Sequence, residues 1–291
     1  MPTAIRPEIA VRGRDVLGEC PVWFAADGAL RWIDSTAGRV HALDPSTARV
    51  ESIDVGQTIG SIAPTARGGV VAATGGGFSL IDRDGHTTLL AEVERDMPGN
   101  RMNDGKCDSR GRYWAGSWTV DLTPQAALYR LNTDHSVDVI RRPVTCSNGI
   151  GWSPDDRLMY YVDSTTYRVD VYDYDPESGG IRARPPLVEI AEATGMPDGL
   201  AVDADGCVWL CLWGGSAVHR YDPHGRLDTV VELPAANVTC CAFGGADLRD
   251  LYITTAREDL DEAALAAQPD AGSLFVCRPG VSGLTPNAFA G

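Results

Sequence analysis

A repeated pattern constrains the fold of this chain more than any other feature of its sequence. In the clearest copy, Asp198 opens a short apolar strand, a turn follows at Asp205-Gly206, and a second apolar strand ends at Trp213. Two apolar strands around such a turn are typical of a β-hairpin. Related copies open at six positions, which are Glu19, Ser61, Asn103, Asn148, Asp198 and Cys240.

The spacing of the copies indicates what the repeating unit is. Their opening positions are separated by 42, 42, 45, 50 and 42 residues, close to the ~40–45-residue period of a four-stranded propeller blade. In three copies a third apolar run ends at Asp-Pro (Asp44-Pro45, Asp175-Pro176 and Asp222-Pro223), where a turn into a fourth strand is expected. The sequence therefore predicts an all-β, six-bladed β-propeller with four-stranded antiparallel blades around a central channel.

Length and charge restrict the remaining possibilities. The repeat runs without a linker through the 291 residues, which predicts a single domain over residues 1–291. A net charge of −15 disfavours nucleic-acid and anionic-membrane partners, which need clustered Lys and Arg. The first ten residues contain no apolar signal region, and no apolar run is long enough to span a membrane. We expect a cytoplasmic protein that is a monomer or a weak homo-oligomer.

Two segments lie outside the regular copies. Ile9-Ala10-Val11 is an isolated extended segment, and we expect it to pair with the last blade and close the ring, since a propeller must avoid open edges. The segment from Glu258 to Gln268 is rich in helix formers and is followed by Pro269. It predicts a short helix in blade 6, a surface connector rather than an active-site lid.

Several common kinds of site are disfavoured by the motifs that are missing. The eight cysteines include no C-x-x-C pair, so packed thiols are the better interpretation than disulfides or zinc. The five histidines show no metal-ligand spacing, and no G-x-S-x-G nucleophile motif occurs. The chemistry must therefore come from other side chains.

Polar residues at the openings of the copies are the strongest candidates. Innermost strands of a propeller run side by side around the channel, so the repeat predicts that Glu19, Asn103, Asn148 and Asp198 converge. Carboxylate and amide oxygens suit a divalent cation such as Ca²⁺, Mg²⁺ or Mn²⁺. Taken singly, each residue could merely cap a turn. Their coincidence at one repeat position favours a metal site, because buried acids repel one another without a cation.

Four segments of the sequence form recognisable motifs, which are Leu17-Gly18-Glu19-Cys20-Pro21, Asn100-Arg101-Met102-Asn103-Asp104-Gly105-Lys106, Ser147-Asn148-Gly149-Ile150 and Pro197-Asp198-Gly199. They resemble the family that includes regucalcin (SMP-30), gluconolactonases and related sugar-acid lactonases. The resemblance spans nearly the whole chain. It implies a six-bladed propeller with one divalent ion bound by Glu19, Asn148 and Asp198, and a substrate bound by Arg101 and Asn103.

Other segments refine this resemblance. Residues 237–239, 243–245 and 254–257 are similar to bacterial sugar lactonases, which favours a catabolic enzyme over a calcium-regulatory protein. Asp121 stands where some relatives carry Glu, so a substrate contact there is open. Trp118 and Trp213 follow second strands and are expected at the mouth, where they either wall a sugar pocket or pack between blades.

The resulting hypothesis is a metal-dependent lactonase that hydrolyses lactones of the gluconolactone, xylonolactone or arabinonolactone type in carbohydrate catabolism. The cofactor is one divalent ion (Ca²⁺, Zn²⁺, Mg²⁺, Mn²⁺ or Fe²⁺), and Asp198 is the general base. Metal-bound hydroxide as the nucleophile, with Asp198 purely a ligand, is equally compatible with the sequence. A calcium-binding regulator without turnover and a non-catalytic propeller scaffold remain alternatives. The sequence leaves the lactone, its ring size and the physiological metal open.

Overall fold

Six antiparallel sheets form the computed structural model, which describes residues 2–291. Two short strands, β1 (Thr3–Ile5) and β2 (Glu8–Val11), precede the first blade. Blades 1, 2 and 3 consist of β3 (Gly18–Phe24), β4 (Ala29–Asp34), β5 (Arg39–Asp44) and β6 (Arg49–Asp54); β7 (Ile59–Pro64), β8 (Val70–Thr74), β9 (Gly77–Ile81) and β10 (Thr87–Glu92); and β11 (Asn100–Cys107), β12 (Tyr113–Thr119), β13 (Ala126–Leu131) and β14 (Val137–Val144).

The second half of the chain continues the same arrangement. Blades 4, 5 and 6 consist of β15 (Ser147–Trp152), β16 (Leu158–Asp163), β17 (Arg168–Asp175) and β18 (Gly180–Ala183), with β19 (Val188–Glu189) beside β17; β20 (Met196–Val202), β21 (Val208–Trp213), β22 (Ala217–Tyr221) and β23 (Leu227–Glu232); and β24 (Val238–Gly244), β25 (Asp250–Thr255) and β26 (Leu274–Cys277). The first strand of each blade contacts the first strands of both neighbouring blades. The predicted six-bladed propeller is thus confirmed.

The ring closes between the last blade and the N-terminal segment, as the sequence predicts. Strand β2 pairs with β26, with Ile9 opposite Phe275, and supplies the outermost strand of blade 6. Strand β1 pairs in parallel with β23, the outermost strand of blade 5, with Ala4 opposite Val230. The N-terminal residues therefore cover two strand edges that would otherwise be open to another chain.

In blades 3 and 5 a buried aspartate organises the turn between the first two strands. The Asp203 carboxylate is fully buried and accepts hydrogen bonds from Asp205 N (3.0 Å), Cys207 N (2.9 Å) and Trp209 Nε1 (2.9 Å). Asp108 makes the equivalent bonds in blade 3, to its own turn and to the indole of β12. Charge-assisted hydrogen bonds of this kind tie the turn to the second strand.

Apolar packing between the blades supplies the core. Edge-to-face contacts join Trp114 to Trp152 across blades 3 and 4, and Trp209 to Phe243 across blades 5 and 6, each with ring centroids 5.8 Å apart. All eight cysteines are free, and six of them are buried among these apolar side chains. This arrangement confirms the interpretation of packed thiols.

The predicted helix is present but shorter than the sequence suggested. It is α1 (Glu262–Ala267), whereas the prediction covered residues 258–268. The Asp261 carboxylate accepts from Ala264 N (2.8 Å) and caps the first turn, and the left-handed backbone of Asp259 (φ 62°) prevents an earlier start. No helix within residues 2–291 is long and apolar enough to cross a membrane.

Candidate active site

Each innermost strand departs from regular pairing where the sequence copies open. The register shifts between Glu19 and Val22 in blade 1 and between Pro197 and Leu200 in blade 5, and the other four blades shift at the equivalent place. A β-bulge turns a side chain out of the regular alternation of a strand. The repeated bulge therefore places one polar position per blade at the same level of the channel.

Glycines beside this level allow the innermost strands to approach one another closely. A Cβ atom at Gly149 would lie 2.7 Å from Asp198 O, and one at Gly199 would lie 2.5 Å from Cys240 Sγ. Both distances are shorter than van der Waals contact. The glycines that follow Asn148 and Asp198 are thus required by packing between blades 4, 5 and 6.

Three of the six positions hold neighbouring blades together. Ser61 Oγ donates to Asn103 O (2.9 Å), and Asn103 Nδ2 donates to Ser147 O (2.8 Å). In blade 6 the side chain is Thr239, whose Oγ1 donates to Gly18 O (2.6 Å). These three side chains therefore have a structural role, but it is a bond to the neighbouring blade rather than the turn cap that the sequence left open.

The other three positions are buried, and two of them carry an oxygen atom without a hydrogen-bond partner. Glu19, Asn148 and Asp198 are exposed by only 8%, 7% and 5%. Asn148 Nδ2 donates to Ser164 Oγ (3.0 Å), but Asn148 Oδ1 and Asp198 Oδ1 are buried without a hydrogen-bond partner. An unpaired buried polar atom costs ~1–3 kcal/mol. Such atoms persist where a ligand satisfies them.

Negative charges lie close together at the level of Glu19 and Asp198, and a positive charge there would stabilise them. Burial, followed by the charges of Asp198 and Asp104, raises the pKa of Glu19 well above its ordinary value. Burial and the charge of Asp104 raise the pKa of Asp198 in the same way, although Gly199 N–H and the nearby Asn148 amide oppose the rise. Both carboxylates are therefore destabilised in their charged form unless a cation accompanies them.

A hard divalent cation fits this set of residues. Two carboxylates and an amide oxygen are ligands that Ca²⁺, Mg²⁺ and Mn²⁺ accept, and a carboxylate also binds Zn²⁺ or Fe²⁺. The free Oδ1 atoms of Asn148 and Asp198 would gain the partner they lack. A cation would also offset the burial and the repulsion that raise the pKa of Glu19. The fit rests on the chemistry of these three side chains.

Three of the residues predicted to bind substrate, Arg101, Trp118 and Trp213, lie at the mouth of the channel. Arg101 is exposed and pairs across the sheet with Trp118, which is half-buried and also bridges to Cys146 of blade 4. Trp213, also half-buried, pairs with Met196 at the same end of blade 5. Both tryptophans are therefore partly exposed at the mouth and also paired with a neighbouring strand. A role as a wall of the sugar pocket and a role in packing between blades both stay open.

Asp121 lies further out than the other predicted substrate residues. It is exposed and accepts from Thr123 N (3.2 Å) and Thr123 Oγ1 (2.8 Å), which lowers its pKa. It lines a groove of about 450 Å³ between residues 96–100 and 120–125. A substrate contact at Asp121 stays a prediction.

Sequence reasoning missed two charged residues, Asp104 within the bulge of blade 3 and Lys106 just beyond it. The Asp104 carboxylate is 5% exposed, and its Oδ2 has no partner. Lys106 Nζ crosses the channel from blade 3 to donate to Leu200 O of blade 5 (2.9 Å). Two charged residues within an innermost strand are the sequence signal for a charged position in the channel, but in the sequence they stand out only as part of the N-D-G-K motif.

A second cluster of possible metal ligands lies on the surface of the protein. Asp82, Asp84 and His86 bring three possible ligand atoms within 4.8 Å, the only such trio among residues 2–291. All three are exposed, and the Asp82 carboxylate already accepts from the backbone N–H groups of Asp84 and His86. This geometry is that of an ordinary turn between β9 and β10.

Comparison with known proteins places these observations in context. Residues 17–257 match the profile of the SMP-30/Gluconolactonase/LRE-like region. The chain is 39% identical to regucalcin of Xenopus laevis over 99% of this chain and 100% of that protein. It is 37% identical to YvrE of Bacillus subtilis, named as a candidate sugar lactone lactonase, over 96% of both chains. The crystal structure of a calcium-binding protein, regucalcin, from Agrobacterium tumefaciens superposes with a TM-score of 0.94 at 29% identity, covering 99% of both chains.

Proposed function

Because the chain belongs to the SMP-30/gluconolactonase/LRE-like family, we propose that it is a metal-dependent lactonase that opens the ester ring of sugar-acid lactones to give the aldonic acid. The substrates are of the gluconolactone, xylonolactone or arabinonolactone type, as expected for carbohydrate catabolism. One observation carries the proposal: Glu19, Asn148 and Asp198 are buried at one level of the channel, and Asn148 Oδ1 and Asp198 Oδ1 lack hydrogen-bond partners.

These three residues would hold one divalent ion. When bound, the ion polarises the ester carbonyl and stabilises negative charge that develops on its oxygen. The two carboxylates neutralise a divalent charge, while Asn148 adds an oxygen without further charge. Ser164 fixes the Asn148 amide through Nδ2, so the oxygen is the atom left for the ion.

Residues at the mouth would orient the lactone. The side chain of Arg101 makes no hydrogen bond or ion pair within residues 2–291, so its guanidinium is available for substrate oxygen atoms. Asn103 uses Nδ2 to hold Ser147 O, which leaves Oδ1 as an acceptor for a sugar hydroxyl. Trp118 and Trp213 would supply apolar walls. Fixing the ester in this way lowers the entropic part of the barrier.

Asp198 would act as the general base. Its carboxylate removes a proton from water while the water oxygen bonds to the ester carbonyl carbon. The bond from that carbon to the ring oxygen then breaks, and the proton passes to the ring oxygen to complete the hydroxy acid. Burial moves the pKa of Asp198 upward and a bound cation moves it downward, so the two influences oppose each other. If Asp198 were only a metal ligand, metal concentrations that fill the site would restore much of the activity of Asp198→Asn.

A calcium-binding regulator is the second candidate. It is favoured by the names of two similar proteins, the regucalcin of Xenopus laevis and the calcium-binding protein of Agrobacterium tumefaciens. The same three side chains would bind Ca²⁺ in that case. The difference between the candidates is turnover of a lactone.

A panel of aldonolactones separates the two functions. Chelated protein is reconstituted with each divalent ion, and hydrolysis is followed by acid release for wild type, Asp198→Asn and Asp134→Asn. Asp134 lies in an exposed turn and controls for the chemical change. We expect turnover by wild type and Asp134→Asn, and a rate at least ~10²-fold lower for Asp198→Asn. Tight Ca²⁺ binding without hydrolysis of any lactone would favour the regulator instead.

A further inference from the structure

The channel contains a second chamber, on the side of Asp104 and Lys106 away from the bulges. Its volume is about 350 Å³, within the range of small-molecule pockets. Its walls are formed by the last residues of the innermost strands, by turns that follow them and by residues 284–287. They are mostly apolar, with Ile62, Phe243 and Leu284 among them. The chamber is separate from the mouth that holds Arg101 and Trp118.

The C-terminal segment covers this chamber. Leu284 to Asn287 line it, and the segment is attached on both sides of the ring. Gly283 bridges to Asp203 of blade 5, and Phe289 bridges to Thr65 of blade 2. Phe289 is buried, so this end of the segment is anchored. One border of the chamber is therefore formed by a segment that is held in place at both ends.

Asp104 and Lys106 contribute opposite charges to the inner wall of the chamber. Asp104 Oδ1 accepts from Gly105 N (2.7 Å), whereas Oδ2 is buried without a partner. Lys106 Nζ donates to Leu200 O and makes no other hydrogen bond within residues 2–291, which leaves two N–H donors. The two charges influence each other, but no direct ion pair joins them within the described residues. Each therefore retains hydrogen-bonding capacity for a ligand.

We propose that this chamber binds a small α-amino acid with an apolar side chain. The ammonium group of the ligand meets Asp104 Oδ2, its carboxylate meets the free N–H groups of Lys106, and its side chain occupies the apolar part of the chamber. A zwitterion satisfies both charged residues and leaves the net charge of the chamber unchanged. Burial of an apolar side chain of this size adds ~1.5–3 kcal/mol of favourable transfer free energy when complete, a factor of at least ~10 in affinity.

Other ligand classes match the chamber less well. A metal cation would be repelled by Lys106, and a simple anion would be repelled by Asp104. A hydrocarbon would leave the polar atoms of both residues without partners, which is costly in a buried site. The zwitterion is the one class that uses both charges and the apolar walls together.

Calorimetric titration with L-leucine tests the proposal on the intact protein, independently of any lactone chemistry. The comparison ligands are 3-methylbutylamine, which lacks the carboxylate, and 4-methylpentanoate, which lacks the ammonium group. We expect each to bind at least tenfold more weakly than leucine, since a charge-assisted hydrogen bond is lost. Equal affinity of either comparison ligand, or no leucine binding at millimolar concentration, would overturn the proposal.

Two variants and one matched control locate the site. Ala242→Leu fills the chamber from its wall, and Ala266→Leu on the exposed face of α1 is the matched control. Leucine binding should be lost in the first and kept in the second, with the melting temperature measured for both. Lys106→Met should reduce leucine affinity at least tenfold while affinity for 3-methylbutylamine stays within about threefold of wild type. Undiminished leucine binding by a folded Ala242→Leu protein would place the ligand elsewhere and refute the assignment.

Discussion

Asp198→Asn is expected to make the metal-free protein more stable although it removes activity. Asp198 is 5% exposed, and its charged form is disfavoured by burial and by repulsion from Asp104. An amide at this position removes the charge and keeps the shape. Its N–H can donate to Asn148 Oδ1, which has no partner in the native side-chain arrangement. The change therefore relieves two unfavourable features of the empty site.

The size of this effect follows from the same features. Single stabilising substitutions commonly contribute ~0.5–2 kcal/mol. A chain of this length gains roughly 2 °C in melting temperature per kcal/mol. We therefore expect an increase of about 1–4 °C for metal-free Asp198→Asn. Loss of the general base should lower turnover ~10²–10⁴-fold.

Scanning calorimetry in excess chelator measures the first effect, with Asp134→Asn as the control. A melting temperature of metal-free Asp198→Asn below that of wild type would refute the reasoning about the uncompensated charge. Turnover at metal concentrations that fill the site measures the second, with Glu19→Gln for comparison. Recovery of both variants to near-native rates would refute Asp198 as the base and favour a role as ligand only.

Three further expectations follow from individual contacts. Asn103→Ala should raise KM or lower kcat without loss of metal, and should cost ~0.5–1.5 kcal/mol of stability through the lost hydrogen bond to Ser147 O. Metal titration and steady-state kinetics check this, and a collapse of metal affinity would make Asn103 a metal ligand. Asp203→Asn should destabilise the fold by roughly 3–5 kcal/mol, because Arg220 and its own turn lose a buried charged partner; urea denaturation measures the loss, and a change under 1 kcal/mol would contradict it. The pKa values of Glu19 and Asp198 are raised in the folded protein, so their contribution to metal-free stability is complete below the pKa of an unfolded carboxyl group and is lost as pH rises toward the folded pKa values. Unfolding in chelator across this pH range should show the decline in stability, and Asp198→Asn should make the decline smaller.

The periodic features of the fold could be predicted from the sequence, because hairpins and their spacing leave a local signal. The same holds for Ile9 to Val11, whose pairing with blade 6 follows from the need to cover an edge. The parallel pairing of β1 with β23 gave no such signal, because three residues of ordinary composition do not specify a partner. The extent of α1 depended on the local backbone of Asp259, which composition does not reveal.

The candidate site shows the same division. The repeat correctly placed Glu19, Asn103, Asn148 and Asp198 at one level of the blades, but it could not tell which side chains were already engaged. Only the structure shows that the Asn103 amide holds Ser147 O while the Asn148 oxygen is free. The roles of these residues in metal and substrate binding stay predictions. Asp104 was missed because contact across the channel involves residues far apart in sequence.

The central claim is that the oxygens of Glu19, Asn148 and Asp198 bind a divalent ion that hydrolysis requires. The most direct test measures metal content by atomic absorption and the lactone hydrolysis rate on the same samples, as chelated protein is refilled stepwise. The rate should rise in proportion to occupancy, approach zero in the metal-free protein, and reach its limit at one ion per chain. Full activity in a sample verified to be free of metal would contradict the account.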